Sequence, residues 1–204
     1  MSEVLRAWAR ITGWLREHAP LSHASLSPGA TRTDISAAQH QLGFSLHEEL
    51  IALLLVNNGS AEEPDVDGDD EGEIWPGEFL NGHHLLPLEN LRAERLRMVG
   101  LASSEQRAHL GSWVPWTAPL SDPQSFTMID HRGLIGHFSY GTWELQPSDT
   151  SLPEYLSSIA DALELGTGPL ITPTRVPGTS LGALLWGDPA NPPVEEAPWA
   201  PVHG

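Results

Sequence analysis

The chain has 204 residues, contains no cysteine and carries a formal net charge of −17. This length is enough for one domain with a substantial core, while the lack of cysteine excludes disulfides and thiolate metal sites and favours a reducing compartment, the cytoplasm. The charge disfavours partners that are themselves anionic, namely nucleic acids and membrane surfaces, and it favours a basic protein partner.

The first predicted element is an amphipathic helix from about Ser2 to His18. Its apolar positions repeat at helical spacing and are Val4, Trp8, Ile11 and Leu15. Ala19-Pro20 ends it, because the residue before a proline avoids the helical region. The N-terminus lacks the basic and apolar regions of a secretory signal, and no stretch approaches the ~18 apolar residues of a membrane helix, so no membrane attachment is predicted.

Two short amphipathic helices are predicted next, over Thr33–Leu42 and Leu46–Asn57. Each carries one apolar stripe at the helical period. Gly43 is expected to end the first helix in the left-handed conformation, which turns the chain so that the two stripes face each other. Asn57-Asn58-Gly59 is expected to end the second helix by the same chemistry. The pattern is typical of a scaffold and contains no catalytic signature.

Negative charge is concentrated in the stretch that follows Arg32. Between Thr33 and Leu91 there are thirteen Asp or Glu residues and no Arg or Lys, and eight of these acids lie between Glu62 and Glu73. The charge either keeps the protein soluble or forms the face for a basic partner. In the second case Trp75, at the edge of the acidic loop, is the expected aromatic anchor. The residues predicted to bind the partner are Asp65, Asp67, Asp69, Asp70, Glu71, Trp75 and Glu78.

A helix over Asn90–Ala102, an antiparallel meander and a last helix are predicted for the second half of the chain. The strands of the meander are short, rich in aromatic or branched residues and separated by turn residues. They are Trp113–Thr117, Phe126–Asp130, Leu134–Tyr140 and Trp143–Leu145. The last helix has Ser151 as its N-cap and Pro153 in its first turn. The predicted fold class is α+β, with N-terminal helices and a C-terminal helix packed on a mostly antiparallel β-sheet.

The composition changes after Leu165. The 39 residues from Gly166 to Gly204 contain eight prolines and six glycines. Such a composition is typical of an extended chain. We therefore predict one α+β domain over residues 1–165 and a Pro/Gly-rich C-terminal tail over residues 166–204, which apolar residues such as Trp186 pin partly to the domain.

No catalytic, cofactor or metal site is predicted. Gly178–Gly182 matches the pattern of a nucleophile elbow, but prolines interrupt the strand that should precede it and no long helix can follow. His47 begins a segment like a zinc-protease helix, yet Ile51 stands where the second ligand is required. Asp65–Asp69 has the aspartate spacing of a calcium loop without its closing glutamate, which leaves open only weak binding of a divalent cation.

The helical half of the sequence resembles a known family. The resemblance is carried by Leu26-Ser27-Pro28-Gly29-Ala30-Thr31, by Ile35 with Leu42-Gly43, by Leu46, Leu50, Leu53-Leu54 and Asn57-Asn58-Gly59, and by Leu85-Leu86-Pro87. Over about Leu26 to Leu165 the chain is similar to the SUKH superfamily, and more closely to its Smi/Knr-type branch, which is common in actinobacteria. His47 is a departure, at a position where the family usually has proline.

The resemblance implies an α+β domain that binds proteins, often as an immunity protein that blocks a secreted toxin, and it implies no active site. The expected function is therefore non-enzymatic. The chain is expected to neutralise a basic toxin, with nucleases as one such class, through charge complementarity and a few aromatic anchors. The alternative is a cytoplasmic regulatory scaffold that binds an endogenous protein. If the acidity serves solubility alone, the expected binding face is the sheet around Trp113 and Trp143.

Overall fold

The computed structural model describes residues 2–61, 74–120, 124–194 and 198–203, and it has the predicted α+β architecture. The helices of this part of the chain are α1 (Glu3–His18), α2 (Pro20–Ala24), α3 (Arg32–Leu42), α4 (Glu48–Val56), α5 (Leu88–Leu101), α6 (Ser104–Leu110) and α7 (Leu152–Leu165). The strands are β1 (Leu26–Pro28), β2 (Asn57–Ser60), β3 (His84–Leu85), β4 (Val114–Ala118), β5 (Ser125–Ile129), β6 (Leu134–Ser139), β7 (Glu144–Ser151), β8 (Val176–Ser180), β9 (Ala183–Gly187) and β10 (Ala200–Pro201).

The main sheet has five antiparallel strands in the order β3-β4-β5-β6-β7. From β4 to β7 each strand pairs with the next along the chain, which confirms the predicted meander. Directly opposed residues share a face of the sheet, so Phe126 and Phe138 lie on one face while Thr127 and His137 lie on the other. The sheet therefore presents an aromatic face and a face with a polar cross-strand pair.

Helix ends follow the local chemistry of the sequence. Thr31 and Asp34 form a capping box at the start of α3, and Ser151 and Glu154 form one at the start of α7. Gly43 ends α3 in the left-handed region with a φ of 79°, as predicted. These short-range contacts place the helices within a residue or two of their expected bounds.

The end of α4 differs from the prediction. Asn57 is extended, with a φ of −137°, and it begins β2 directly without a left-handed cap. β2 pairs with β1, and Asn57 also accepts a hydrogen bond on Oδ1 from the indole N–H of Trp8 at 2.9 Å. A strand partner and a distant side chain, neither of them local in sequence, therefore determine how this helix ends.

The main apolar core joins the helices to the five-stranded sheet. Leu50, Leu53 and Leu54 of α4 are fully buried, as are Ile11 and Leu15 of α1. Helix α1 packs along α7 and also contacts α4, so the apolar stripes of these helices face a shared core. The stripe of α3 enters the same core but packs mainly on α5, so α3 and α4 do not face each other as directly as predicted. No helix within the described ranges combines the length and the apolar composition that a membrane crossing requires.

The C-terminal segment differs from the expected extended tail. β8 and β9 form an antiparallel hairpin, and β10 pairs with β8. Leu184 and Trp186 of β9 join the main core, and the indole N–H of Trp186 donates to the carbonyl of Phe79 at 3.0 Å. The hairpin forms because β9 is an apolar run without proline that follows a two-residue turn, Leu181-Gly182.

Candidate partner-binding site

The residues predicted to bind a partner fall into two groups. The acidic residues Asp65, Asp67, Asp69, Asp70 and Glu71 lie outside the described residues. Trp75 and Glu78 are described, and they lie in one turn between β2 and β3. Their part in binding stays a prediction, and the geometry around them defines the candidate site.

Trp75 is half-buried in the wall of a surface hollow of about 380 Å³. The other lining residues come from β3 and the residue after it, from α5, from β4 and β5, and from the connection between these two strands. They are His84, Leu86, Asn90, Ala93, Glu94, Ala118, Pro119, Leu120 and Phe126. We call this feature the Trp75 hollow. Its mostly apolar wall with a few polar groups suits a long basic side chain, which combines an apolar stem with a charged tip.

The turn that carries Trp75 is held in place by its backbone. The N–H of Glu78 donates to the carbonyl of Trp75 at 3.0 Å, and Ser60 Oγ donates to the carbonyl of Gly77 at 3.0 Å. A Cβ on Gly77 would lie 2.2 Å from the carbonyl oxygen of Ala61, so this close approach requires glycine. The indole ring therefore stands on a turn that is fixed to β2.

Polar groups around the hollow already take part in structural hydrogen bonds. Glu78 accepts a hydrogen bond on Oε1 from the backbone N–H of Leu120, on the opposite wall. Tyr140 donates its O–H to Glu94 Oε1 at 2.6 Å, and burial together with this bond raises the pKa of Tyr140. His84 Nδ1 lies 2.6 Å from the carbonyl of the last β4 residue. These contacts make the hollow a rigid receptor.

An aromatic stripe continues from the hollow across one face of the sheet. Tyr140 packs edge to face on Phe126, Phe138 and Trp143, with ring centroids 6.0, 5.2 and 5.3 Å apart. The guanidinium of Arg97 lies 4.8 Å from the centroid of the Tyr140 ring. A second hollow of about 220 Å³ lies beside Trp143. We call the hollow and the stripe together the aromatic surface; within the stripe Tyr140 and Trp143 are partly exposed, whereas Phe126 and Phe138 are buried.

The tryptophans of the sheet divide between core and surface. Trp113 is 8% exposed and packs on Gly136, where a Cβ would lie 2.9 Å from its ring. Trp116 is fully buried and packs edge to face on Tyr155. Trp143 is half-buried at the β6–β7 turn, with a φ of 54°. Of the alternative face that the sequence suggested, Trp143 is therefore accessible, whereas Trp113 belongs to the core.

A tight turn that the sequence analysis did not identify precedes β3. Leu80 and His83 exchange both of their backbone hydrogen bonds, at 3.0 and 3.2 Å. Asn81 and Gly82 between them have positive φ values of 53° and 74°. This is a type I′ turn, and Asn-Gly is the strongest short-range signal for it. The signal is present in the sequence and locates the turn.

This turn binds two residues that are distant in sequence. The Arg175 guanidinium donates to Asn81 Oδ1 at 2.8 Å and to the Asn81 carbonyl at 2.6 Å. A Cβ on Gly82 would lie 2.6 Å from Arg175 Nη2, so the turn needs glycine there for space as well as for its φ. The Asn81 side chain is also hydrogen-bonded to Tyr155 of α7.

His83 extends the same group of residues onto the polar face of the sheet. Its Nδ1 lies 3.3 Å from Thr117 Oγ1 and 3.2 Å from Thr127 Oγ1, and both threonines are fully buried. His137 is the cross-strand partner of Thr127 and is exposed. Burial and the charges of His137, Arg175 and His84 lower the pKa of His83 to about 4. We call Asn81, His83, His137, Tyr155 and Arg175 the Asn81 cluster.

The catalytic and metal patterns of the sequence do not assemble into sites. Ser180 is buried at the end of β8, and the turn after it leads into β9, where a nucleophile elbow needs a helix. His83 and His84 are neighbours in sequence but contact different partners, Thr117 Oγ1 and the carbonyl of Ala118. Across the residues that the structure describes, no group of three or more His, Asp or Glu side chains could hold a metal ion.

Comparison with known proteins supports the resemblance on which the sequence analysis rests. The model of the SMI1/KNR4 family (SUKH-1) matches residues 29–164. A relative described as a KNR4/SMI1 homolog, from Eremothecium gossypii, is 27% identical over 121 residues. That alignment covers 57% of this chain but only 18% of the relative, so the chain corresponds to a small part of that longer protein.

Proposed function

Because the chain belongs to the SMI1/KNR4 family (SUKH-1), we propose that it is a non-catalytic protein-binding domain and that it acts as an immunity protein. Its partner is a basic toxin, which it neutralises by covering the functional surface of that toxin. The observation that carries the proposal is the position of Trp75, in the wall of an apolar hollow and directly beside the most acidic segment of the chain.

Charge supports a basic partner. Thirteen acids and no Arg or Lys lie between Thr33 and Leu91, and among the described residues of this stretch Asp34, Glu48 and Glu89 are exposed. Such a surface attracts a cationic protein over a distance of about one Debye length, ~8–10 Å at physiological salt. Long-range attraction of this kind mainly increases the association rate and selects against acidic partners.

The Trp75 hollow and the aromatic stripe supply the contacts that keep the partner bound. Half-buried tryptophan and tyrosine rings on a fixed backbone are typical anchors of protein interfaces, because they bury a large area at a small cost in side-chain entropy. An arginine of the partner would place its guanidinium over the Trp75 ring and its methylenes against Leu86 and Phe126. The contact proposed here is thus chemically matched to a basic toxin.

The test is a kinetic measurement with a purified basic toxin from the same operon or gene cluster. We expect Trp75→Ala to increase the dissociation rate by roughly tenfold or more, as loss of a buried anchor does, and to leave the association rate nearly unchanged. Trp14→Ala is the matched control, since Trp14 is also half-buried but lies on α1, away from the hollow. Equal effects of both variants would contradict the proposed site.

Neutralisation of the acidic segment tests the electrostatic part separately. Replacing Asp67, Asp69 and Asp70 by Asn and Glu71 by Gln should decrease the association rate and weaken its dependence on salt. An unchanged rate and an unchanged salt dependence would mean that the acidity serves solubility. Co-expression with the toxin supplies the biological readout: the wild type should restore growth and Trp75→Ala should not.

A cytoplasmic scaffold is the second candidate function. One observation favours it, namely that the similar region makes up 18% of the relative from Eremothecium gossypii, so this type of domain also occurs within a much longer chain. The two functions differ in the partner. A secreted toxin encoded beside this chain, whose toxicity the chain abolishes, indicates immunity, whereas an endogenous protein bound through the same hollow indicates a scaffold.

A further inference from the structure

The Asn81 cluster places several hydrogen-bond donors side by side on the polar face of the sheet, away from the aromatic surface. Its members come from four separate parts of the chain: the turn before β3, β6, α7 and the segment that precedes β8. We propose that this cluster is a binding site for a small oxyanion, that is, for a phosphate or carboxylate group.

Arg175 is the principal charge of the site. Two of its N–H groups are used by Asn81, which fixes the plane of the guanidinium and leaves its remaining N–H donors for a ligand. Burial lowers the pKa of Arg175, while the neighbouring acidic groups of Tyr155 and Glu78, of which only the carboxylate is charged at neutral pH, oppose that effect. A guanidinium that is held by neutral groups in this way is suited to an anion with planar or tetrahedral oxygens.

Tyr155 supplies a neutral donor. Asn81 Oδ1 accepts a hydrogen bond from Arg175. The side-chain NH2 group of Asn81 is therefore the donor in its hydrogen bond to the Tyr155 oxygen. Burial raises the pKa of Tyr155 to about 12. The phenol therefore keeps its proton at neutral pH and can donate it to an anion.

His83 is oriented by the sheet. The hydroxyls of Thr117 and Thr127 lie on the Nδ1 side of its ring, which directs Nε2 away from them. His137 follows one strand further along the same face and is exposed, so it marks the side from which a ligand enters. The three side chains are thus neighbours: Thr127 lies between His83 and His137, and the charge of Arg175 acts on His83.

The charges in the cluster favour an anion. The groups that act electrostatically on His83 are His137, Arg175 and His84, and each of them lowers its pKa. Glu78 acts on Arg175, but its carboxylate is also tied to the N–H of Leu120. In a chain with a net charge of −17, this grouping of one guanidinium with neutral donors, and with imidazoles that could be protonated, is the reverse of the overall charge, and a bound anion would stabilise it.

Thermal unfolding provides the first test. At pH about 6, about 10 mM inorganic phosphate should raise the Tm by roughly 2–4 °C relative to chloride at equal ionic strength, and acetate at the same concentration distinguishes a phosphate site from a carboxylate site. Arg175→Gln and His137→Gln should abolish the shift. His137→Gln changes an exposed residue and therefore leaves the fold intact, and His131→Gln, at the neighbouring turn, is the control that should keep the shift.

Imidazole NMR signals provide the second test, and they report on the site directly. A bound oxyanion favours the protonated rings, so phosphate should raise the pKa of His83 and His137. Binding should accordingly strengthen as the pH falls from the ordinary imidazole value of 6.5 toward the His83 pKa of about 4, with Arg175, Tyr155, His84 and Glu78 as the other titratable groups that face the site. Failure of both phosphate and acetate to change the Tm and these titrations would overturn the proposal.

Discussion

Side chains of α4 show that burial, more than hydrophobic character, decides how much a residue contributes to the free energy of unfolding. Leu54 is fully buried in the main core, whereas Val56, two residues later, is 46% exposed. Both are apolar and both lie in the same helix. The difference arises because only one side of α4 faces α1, α7 and the sheet, so a substitution on each side gives a matched comparison.

We expect Leu54→Ala to lower the free energy of unfolding by about 2–5 kcal/mol, since it removes buried methyl groups and leaves a cavity. Val56→Ala, the control, should change it by less than about 0.5 kcal/mol. Urea unfolding measures both. If the midpoint of Leu54→Ala equals that of the wild type, α4 is not packed as the structure describes.

The titration of His83 predicts how stability depends on pH. Its pKa is about 4 in the folded chain, against an ordinary value of 6.5, because burial and nearby positive charges disfavour the protonated ring. The unfolded chain therefore binds a proton more readily, and stability decreases as the pH falls from about 6.5 toward 4. His83→Gln should remove about 1–3 kcal/mol of that decrease between pH 7.5 and 4.5.

Urea unfolding at the two pH values, in wild type and variant, checks this prediction. His131 is exposed, so His131→Gln should keep the full pH dependence of the wild type. An identical pH dependence in His83→Gln would mean that His83 titrates at its ordinary pKa and that its ring is not enclosed by the cluster.

At the scale of elements, two tight turns of the same type have different sequences. Asn81-Gly82 and Leu181-Gly182 both have positive φ at both central positions, with 53° and 74° in the first and 48° and 86° in the second. Asn tolerates the left-handed region, whereas Leu is disfavoured there by its Cβ. Leu181 is also 64% exposed, so no packing offsets its unfavourable conformation.

Leu181→Asn should therefore stabilise the protein by about 0.5–1 kcal/mol, because it relieves the left-handed leucine at an exposed position. The expected result is an increase in Tm of a few degrees. Asn81→Leu is the reverse comparison and should destabilise, since it also removes the hydrogen bonds to Arg175. A loss of stability in Leu181→Asn would contradict the type I′ geometry of the β8–β9 turn.

The hairpin of β8 and β9 also predicts what truncation does. Deleting residues 166–204 should lower stability by several kcal/mol, since it exposes the main core where Leu184 and Trp186 are buried and removes the bonds of Arg175 to Asn81. Deleting residues 198–204 should cost much less, because it removes the two-residue strand β10 and the Trp199 ring that covers Gly178. Thermal unfolding of both truncations measures the difference, and equal losses would contradict the hairpin's place in the core.

At the scale of the whole molecule, the negative charge determines how stability responds to ionic strength. The net charge is −17, and the ion pairs among the described residues include Arg10 with Asp161 and Glu164, at 2.6 and 2.5 Å. Unpaired like charges repel one another and oppose the compact state. Electrostatic repulsion, more than salt-bridge attraction, should therefore dominate the response of stability to ionic strength.

Raising the salt concentration from about 20 to about 300 mM NaCl should increase the Tm by a few degrees, because screening reduces this repulsion. The variant with Asn at 67, 69 and 70 and Gln at 71 should start from a higher Tm and respond less. A Tm that falls with salt would mean that attractive ion pairs outweigh repulsion across the molecule.

Local chemistry in the sequence determined most of the helices and the four strands of the meander. Apolar residues at helical spacing located α1, α3, α4 and α7, and alternating aromatic and branched segments located β4 to β7. Ser103 and Gln106 form a capping box at the start of α6, and this local signal, like Asn81-Gly82, is present in the sequence. Such features are readable because the contacts that stabilise them lie within about four residues.

Tertiary structure alone decided which residues share a site. The Asn81 cluster joins residues up to 94 positions apart, and burial separates Trp113 and Trp116 from Trp75 and Trp143 although all are the same residue type. The C-terminal hairpin places Leu184 and Trp186 in the main core. No local sequence pattern encodes that position, because it depends on contacts with residues far away in the chain. Composition and periodicity report the preferences of a segment, whereas a site depends on the long-range packing that brings segments together.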